Sequence, residues 1–190
     1  YYDETAWESC TPETVKDFSA IAYYFGRMLA DSLQVPVGLI CNAIGGSPIE
    51  AWIERETLEE YFPAVMRDWM KNDFIQKWVR ERAMDNLKHA YNPLQRHPYE
   101  PCYLYETAIL PIQHYAVRGA IWYQGESNAH NIEAHEKLFT LLVNSWRKCL
   151  TNIDMPFFYV QLSSMDRPSW CWFRDSQRHK IKKVKHTGMV

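Results

Sequence analysis

At 190 residues the chain is long enough for one domain with a sizeable buried core. Its 47% hydrophobic and 23% charged content is that of an ordinary globular protein and excludes disordered and collagen-like classes. A net charge of −2 leaves no electrostatic footprint for nucleic acid or an anionic membrane. No apolar run approaches the roughly 18 residues that a membrane span needs.

Thr11-Pro12-Glu13 supplies a cap, a proline at the first helical position and an early acid, and opens a helix predicted over residues 15–33. Phe18, Ile21, Ala22, Phe25, Met28 and Leu29 fall at helical spacing within it. Pro36 ends that element. Residues 35–44 then form a short apolar run of the kind that makes a buried parallel strand. The run closes on Gly45-Gly46 and opens into Ser47-Pro48-Ile49-Glu50, which reads as strand, glycine turn and helix start. Residues 51–91 are charged, helix-rich and heavy with tryptophan (Trp52, Trp69, Trp78), and Pro63 marks a break.

Residues 92–101 hold three prolines and read as loop. A short helical piece at 104–115 leads to a second strand at 119–123. A strong helix is predicted over 132–150, where Leu138, Leu142 and Trp146 stack four apart. The third strand is 157–162, and a last helix covers 172–184. The basic run from Arg178 to Lys185 reads as the solvated face of that helix. His186-Thr187-Gly188-Met189-Val190 reads as a turn entering a further strand. Tyr1-Tyr2-Asp3-Glu4 reads like the middle of a protein, so the chain is expected to be a fragment.

Strands separated by helices predict parallel βαβ units and an α/β fold. Ligands in such folds bind beyond the carboxyl ends of the strands. Chemistry is therefore expected in the loops after Ile44, Tyr123 and Leu162.

The first of these loops holds Gly45 and Gly46. Two glycines let backbone approach a ligand, and N–H groups at a helix start can stabilise an oxyanion. A tight strand-to-helix turn needs glycine as well, so both readings stand. Ser47 is rejected as a nucleophile, because an elbow would carry glycine where Ile49 stands. With Pro48 and Glu50 it matches a capping box instead. The second loop is Trp122-Tyr123-Gln124-Gly125-Glu126-Ser127-Asn128. Glu126 can orient a histidine as the acid of a triad, and Gln124 or Asn128 can donate to an oxyanion. The competing reading is a polar loop in which Ser127 or Asn128 caps the following helix. After the third strand, Arg174 is placed to bind an anionic sugar carboxylate.

Metal chemistry finds no support. His135-Glu136 fails the HExxH pattern because Phe139 fills its last position. The five cysteines are widely spaced with no CxxC pair, and their odd number leaves at least one thiol free. Each of the seven histidines is read as a surface or packing residue. The 15% aromatic content suits stacking on sugar rings and equally suits a large aromatic core.

Several blocks together resemble a known family. They are Phe18-Ser19-Ala20 with Tyr23-Tyr24-Phe25-Gly26, then Val35-Pro36-Val37-Gly38-Leu39-Ile40, then Gly45-Gly46 through Ala51-Trp52. Ile121-Trp122-Tyr123-Gln124-Gly125-Glu126-Ser127-Asn128-Ala129 follows, with Trp146-Arg147, Pro156-Phe157-Phe158 and Val160-Gln161-Leu162. Arg174-Asp175-Ser176-Gln177 and Gly188-Met189-Val190 close the series. In this order they resemble the sialate O-acetylesterases of the SGNH hydrolase superfamily, over nearly the whole chain outside residues 51–91.

The resemblance implies a three-layer α/β/α, flavodoxin-like fold with a mostly parallel sheet. Residues 1–190 would be a partial catalytic domain, truncated at both ends, with 51–91 as a helical excursion. It implies acetyl removal from O-acetylated sialic acid by serine-type acyl transfer, without metal or cofactor. The family's serine lies in a Gly-Gln-Ser-Asn block and its histidine in an Asp-x-x-His block, and this sequence contains neither. The chain alone is therefore expected not to hydrolyse esters. Gly45 or Gly46 matches the oxyanion glycine, Asn128 the oxyanion asparagine, and Glu126 the glutamate that serves some relatives as triad acid. Glu106-Thr107-Ala108 stands where many members carry Asn-Gly-Met. A secreted, periplasmic or lumenal location is implied in the same way. Two rivals remain: an acetylxylan-type esterase, which shares the Gln-Gly-Glu core, and a non-catalytic sugar-binding module. The alternating helices and strands speak against the usually all-β module.

Overall fold

The computed structural model describes residues 5–92 and 94–190. The Tyr1-Tyr2-Asp3-Glu4 segment and Pro93 of the proline-rich loop lie outside the described residues. The chain divides into one unit that ends at Ile44 and a larger one, Gly45–Val190.

The first unit is built on helix α1, Ala20–Leu33. It starts five residues later than periodicity suggests. Ser19 takes the Ala22 N–H on its hydroxyl at 3.3 Å, and the backbone at Phe18 is extended, so the helix begins afresh after a 3-10 turn at Thr14–Asp17. Gln34, in left-handed backbone, closes α1. Of the predicted apolar face, Ile21 and Met28 are exposed; the residue of α1 that is buried is Gly26, outside that set, which packs against Leu39. The strand predicted at 35–44 does not form. A strand exists only as part of a ladder, and among the described residues this unit has no second strand to pair with.

The larger unit begins with helices. A 3-10 turn at Ile49–Trp52 precedes α2 (Arg55–Tyr61), and α3 spans Lys77–Leu87. Pro63 sits at the start of a new 3-10 turn just after α2 ends, as its missing N–H requires. Next comes a π-helical turn at Tyr105–Ile109, where a short helical piece was expected.

Three strands then alternate with two helices: β1 (Ala120–Trp122), α4 (Ile132–Cys149), β2 (Phe157–Tyr159), α5 (Trp170–His179) and β3 (Thr187–Met189). The sheet is parallel in the order β1-β2-β3, with Trp122 opposite Tyr159 and Phe158 opposite Gly188. This is the α/β architecture that the alternation predicted. Side chains alternate across the pleat, so Trp122, Phe157 and Tyr159 share one face. α4 covers that face: Phe139 packs on Phe157 and Tyr159, and Trp146 packs on Trp122 and Phe157. Each ring buried there contributes about 1.5–3 kcal/mol. α4 is capped by Asn131, whose side chain accepts from Ala134 N at 3.0 Å. At its other end Arg147 ties the segments entering β2 and β3 together, donating to the carbonyls of Met155, Lys185 and His186.

The basic run 178–185 is not uniformly solvated. Lys180 is 2% exposed, and its Nζ lies 2.6 Å from His135 Nδ1 over the rings of Phe139 and Phe173. The amphipathic stem of lysine is drawn inward because α5 packs on α4 at this point. Burial pulls the Lys180 ammonium down to about 7, with Glu136 opposing and Lys183 reinforcing the shift. Burial, with the Lys180 charge beside it, holds His135 well below the usual histidine range. Both are bases with depressed folded-state values. Between about pH 7 and the ordinary lysine value the unfolded chain binds more protons, so stability rises with pH. Urea unfolding should show a gain of about 1 kcal/mol between pH 7 and pH 8 that vanishes in Lys180→Met. A slope that survives the substitution would mean another group carries it.

All five cysteines are free thiols, with Cys102 buried and Cys10, Cys41 and Cys171 exposed. No helix among the described residues is long and apolar enough to cross a membrane.

Candidate functional site

The turn at Gly45-Gly46 is held from one side by an aromatic segment. Tyr99 Oη donates to Gly45 O at 2.8 Å, and His97 Nδ1 accepts from Tyr99 N. Gly46 has φ of 77°, and a Cβ there would lie 2.6 Å from Tyr99 Oη and 3.0 Å from the Trp78 ring. This position needs glycine twice over, for backbone conformation and for space. Gly45 differs: a Cβ on it would meet nothing within 4 Å.

From the other side the turn is joined to the loop after β1. Ser127 Oγ donates to Gly46 O at 2.8 Å, and Gln124 Nε2 donates to Ser47 O at 3.0 Å. Asn128 is the hub. Its Oδ1 accepts from Ile49 N at 2.9 Å and from Gln124 Nε2 at 2.7 Å, while Nδ2 donates to Glu50 Oε2 at 2.9 Å and Oε1 at 3.1 Å. Gly125 permits the loop to lie flat on α5, since a Cβ on it would stand 2.7 Å from the Phe173 ring.

Two local expectations are corrected here. Ser47 and Glu50 do not form a capping box: Ser47 Oγ accepts from Trp52 Nε1 at 2.9 Å, and the Glu50 carboxyl turns inward to Asn128. Nor does Ser127 or Asn128 cap α4, a role that falls to Asn131. Asn128 instead satisfies the first free N–H of the 3-10 turn at Ile49–Trp52, which is distant in sequence and adjacent in space.

Glu50 is fully buried, and burial pushes its carboxyl up to about 7 against the opposing Asn128 hydrogen bond. The Asn128 amide is fixed by it without being used up. The two carboxylate oxygens subtend roughly 40° at Nδ2, whereas the two N–H bonds of an amide diverge by about 120°, so one N–H is shared by Glu50 and the other points elsewhere.

Glu126 lies in the short turn Glu126–Asn128, exposed, and its carboxyl meets no donor among the described residues. Arg174, on α5, is half-buried and anchored: Nε donates to Leu162 O at 2.7 Å and Nη2 contacts Gln161 Oε1 at 3.3 Å. The loop following β1 thus carries Gln124, Glu126 and Asn128, while Arg174 projects from α5 onto Gln161 and Leu162 in the segment that follows β2. No group of three or more histidine, cysteine or acidic side chains suited to a metal occurs among the described residues.

A family profile described as carbohydrate esterase, sialic acid-specific acetylesterase, matches residues 6–190. The chain belongs to this family. Sialate O-acetylesterase from Rattus norvegicus is 33% identical over 165 residues, covering 77% of this chain and 30% of the relative. The Homo sapiens sialate O-acetylesterase is 31% identical over 173 residues, covering 83% of this chain and 29% of its own length. The crystal structure of a carbohydrate acetylesterase from Xanthomonas citri superposes with a TM-score of 0.71 at 27% identity, covering 97% of this chain and 37% of that one. The chain thus spans about 30% of the length of the curated relatives it matches.

Within the sialic acid-specific acetylesterase framework, the two glycine-containing loops singled out from sequence meet in one corner. Sequence reasoning missed what holds them. By sequence Glu50 stands at a helix start and Tyr99 in a proline-rich loop, and neither position by itself signals a contact with the glycine turn or the loop after β1. Trp52 braces the same corner: its Nε1 donates to Ser47 Oγ, its ring lies edge-on to Trp122, and its carbonyl accepts from Trp146 Nε1 at 2.8 Å. A buried tryptophan whose N–H must find a partner was the available signal.

Proposed function

We propose that the protein is a carbohydrate esterase that removes O-acetyl groups from sialic acid by serine-type acyl transfer. Membership of the sialic acid-specific acetylesterase family supports the reaction class. The observation that carries the site assignment is the hydrogen-bonded meeting of the Gly45-Gly46 turn with the Gln124–Asn128 loop. A serine from a Gly-Gln-Ser-Asn block, activated by a histidine, attacks the acetyl carbonyl. The developing oxyanion rests on backbone N–H of Gly45 or Gly46 and on the free N–H of Asn128. Glu126, exposed on the same loop, orients the histidine. Gln124 contacts the sugar, and Arg174, held at Nε and Nη2, offers its remaining donors to the sialate carboxylate. The enzyme acts in a secreted, periplasmic or lumenal compartment, where acetylated glycans are met.

Acetate release by the full natural chain tests this. O-acetylated N-acetylneuraminic acid should be turned over with kcat/KM at least about tenfold above acetylated xylan, the advantage of about 1.4 kcal/mol that a single placed guanidinium supplies. A preference for xylan would assign the site to neutral polysaccharide instead.

A further inference from the structure

The Glu50 carboxyl has no assigned purpose in acyl transfer, and its placement is costly. It is fully buried, and Asn128 Nδ2 is the side-chain donor that both of its oxygens meet, at 2.9 and 3.1 Å. A buried carboxyl without a counter-ion is destabilising unless something specific is gained. The opposite side of the same amide shows what is gained. Asn128 Oδ1 faces two donors, Ile49 N and Gln124 Nε2, so the amide has one orientation and Glu50 defines its nitrogen side. An apolar side chain at position 50 would leave Nδ2 without the acceptor that holds its side of the amide.

We propose that Glu50 is a positioning residue: it fixes the Asn128 amide so that the second N–H of Nδ2 stays aimed at the developing oxyanion. This rests on the esterase reading above. The carboxyl touches neither substrate nor reacting atoms and acts through Asn128. Its ionised form accepts the Nδ2 hydrogen most strongly, because hydrogen bonds to a charged acceptor are the stronger class. Burial sets that ionisation near pH 7, so the positioning weakens as pH falls through this value.

The test is steady-state kinetics of the full natural chain on 4-nitrophenyl acetate, with wild type, Glu50→Ala and Glu50→Gln compared across pH 5.5–9. Glu50→Ala should lower kcat by about 10–100-fold while KM moves by less than about threefold, the scale for losing a group that orients another. Glu50→Gln keeps an acceptor for Nδ2 and should recover kcat to within about threefold at pH 8, with a shallower acid limb because one titrating group is gone. Near-wild-type kcat in Glu50→Ala, or a loss expressed only in KM, overturns the proposal. Should Glu50→Ala not fold, judged by circular dichroism, the Glu50→Gln profile decides: an acid limb identical to wild type overturns it. An inactive wild type would instead sink the esterase reading itself, and this inference with it.

Discussion

Replacing Asn128 by alanine is expected to lower kcat of the full natural chain by roughly 10²–10³, the scale for removing one oxyanion donor. KM should change little, since that hydrogen bond strengthens only in the transition state. The structure adds a second consequence. Asn128 also satisfies Ile49 N and is the side-chain partner of Glu50, so alanine leaves a buried N–H unmatched and a buried carboxyl with only a backbone hydrogen bond. A buried group left unmatched costs about 1–3 kcal/mol, and the melting temperature should fall with the activity. The two effects are separable by measuring kcat well below the transition. Full activity in a destabilised Asn128→Ala protein would reduce Asn128 to a cap for the 3-10 turn.

Gly46→Ala should be the more damaging change to the fold, and Gly45→Ala its control. At Gly46 an alanine must hold φ near 77° with its Cβ 2.6 Å from Tyr99 Oη. Left-handed backbone costs a non-glycine residue about 1–2 kcal/mol, and overpacking adds about 1–3 kcal/mol. A total loss of roughly 2–5 kcal/mol is expected in urea unfolding. Relief by movement of Tyr99 would break its hydrogen bond to Gly45 O and loosen the turn. At Gly45 a Cβ meets nothing within 4 Å, so alanine there should change stability by less than about 0.5 kcal/mol. Equal effects at the two positions would contradict this description of the turn. Loss of activity without loss of stability in Gly45→Ala would point to a ligand that approaches its backbone closely.

The elements that sequence located well are those whose signal is local. Leu138, Leu142 and Trp146 repeat at the helical period, and α4 lies where they place it. Phe157 to Tyr159 and Ala120 to Trp122 are short apolar runs between helices, and both became strands of the parallel sheet. Residues 35–44 carry the same kind of run without becoming a strand, because pairing is a property of the neighbour as much as of the run. The site was legible to the same degree. Glycines and a polar loop after a strand marked Gly46, Gln124 and Asn128. Glu50 followed Ser47 at capping-box spacing, and nothing local revealed a partner 78 residues away. Lys180 was hidden similarly inside a run of charges, because its partner His135 comes from another helix.

The central claim is that the Gly45-Gly46 turn and Asn128 together receive the oxyanion. The most direct measurement is a crystal structure of the full natural chain inactivated by an organophosphate, which places a phosphoryl oxygen where the oxyanion forms. That oxygen should lie about 2.7–3.1 Å from Asn128 Nδ2 and from a backbone nitrogen of Gly45 or Gly46. A phosphoryl oxygen more than about 5 Å from all three nitrogens, beyond any hydrogen-bond distance, would contradict the account.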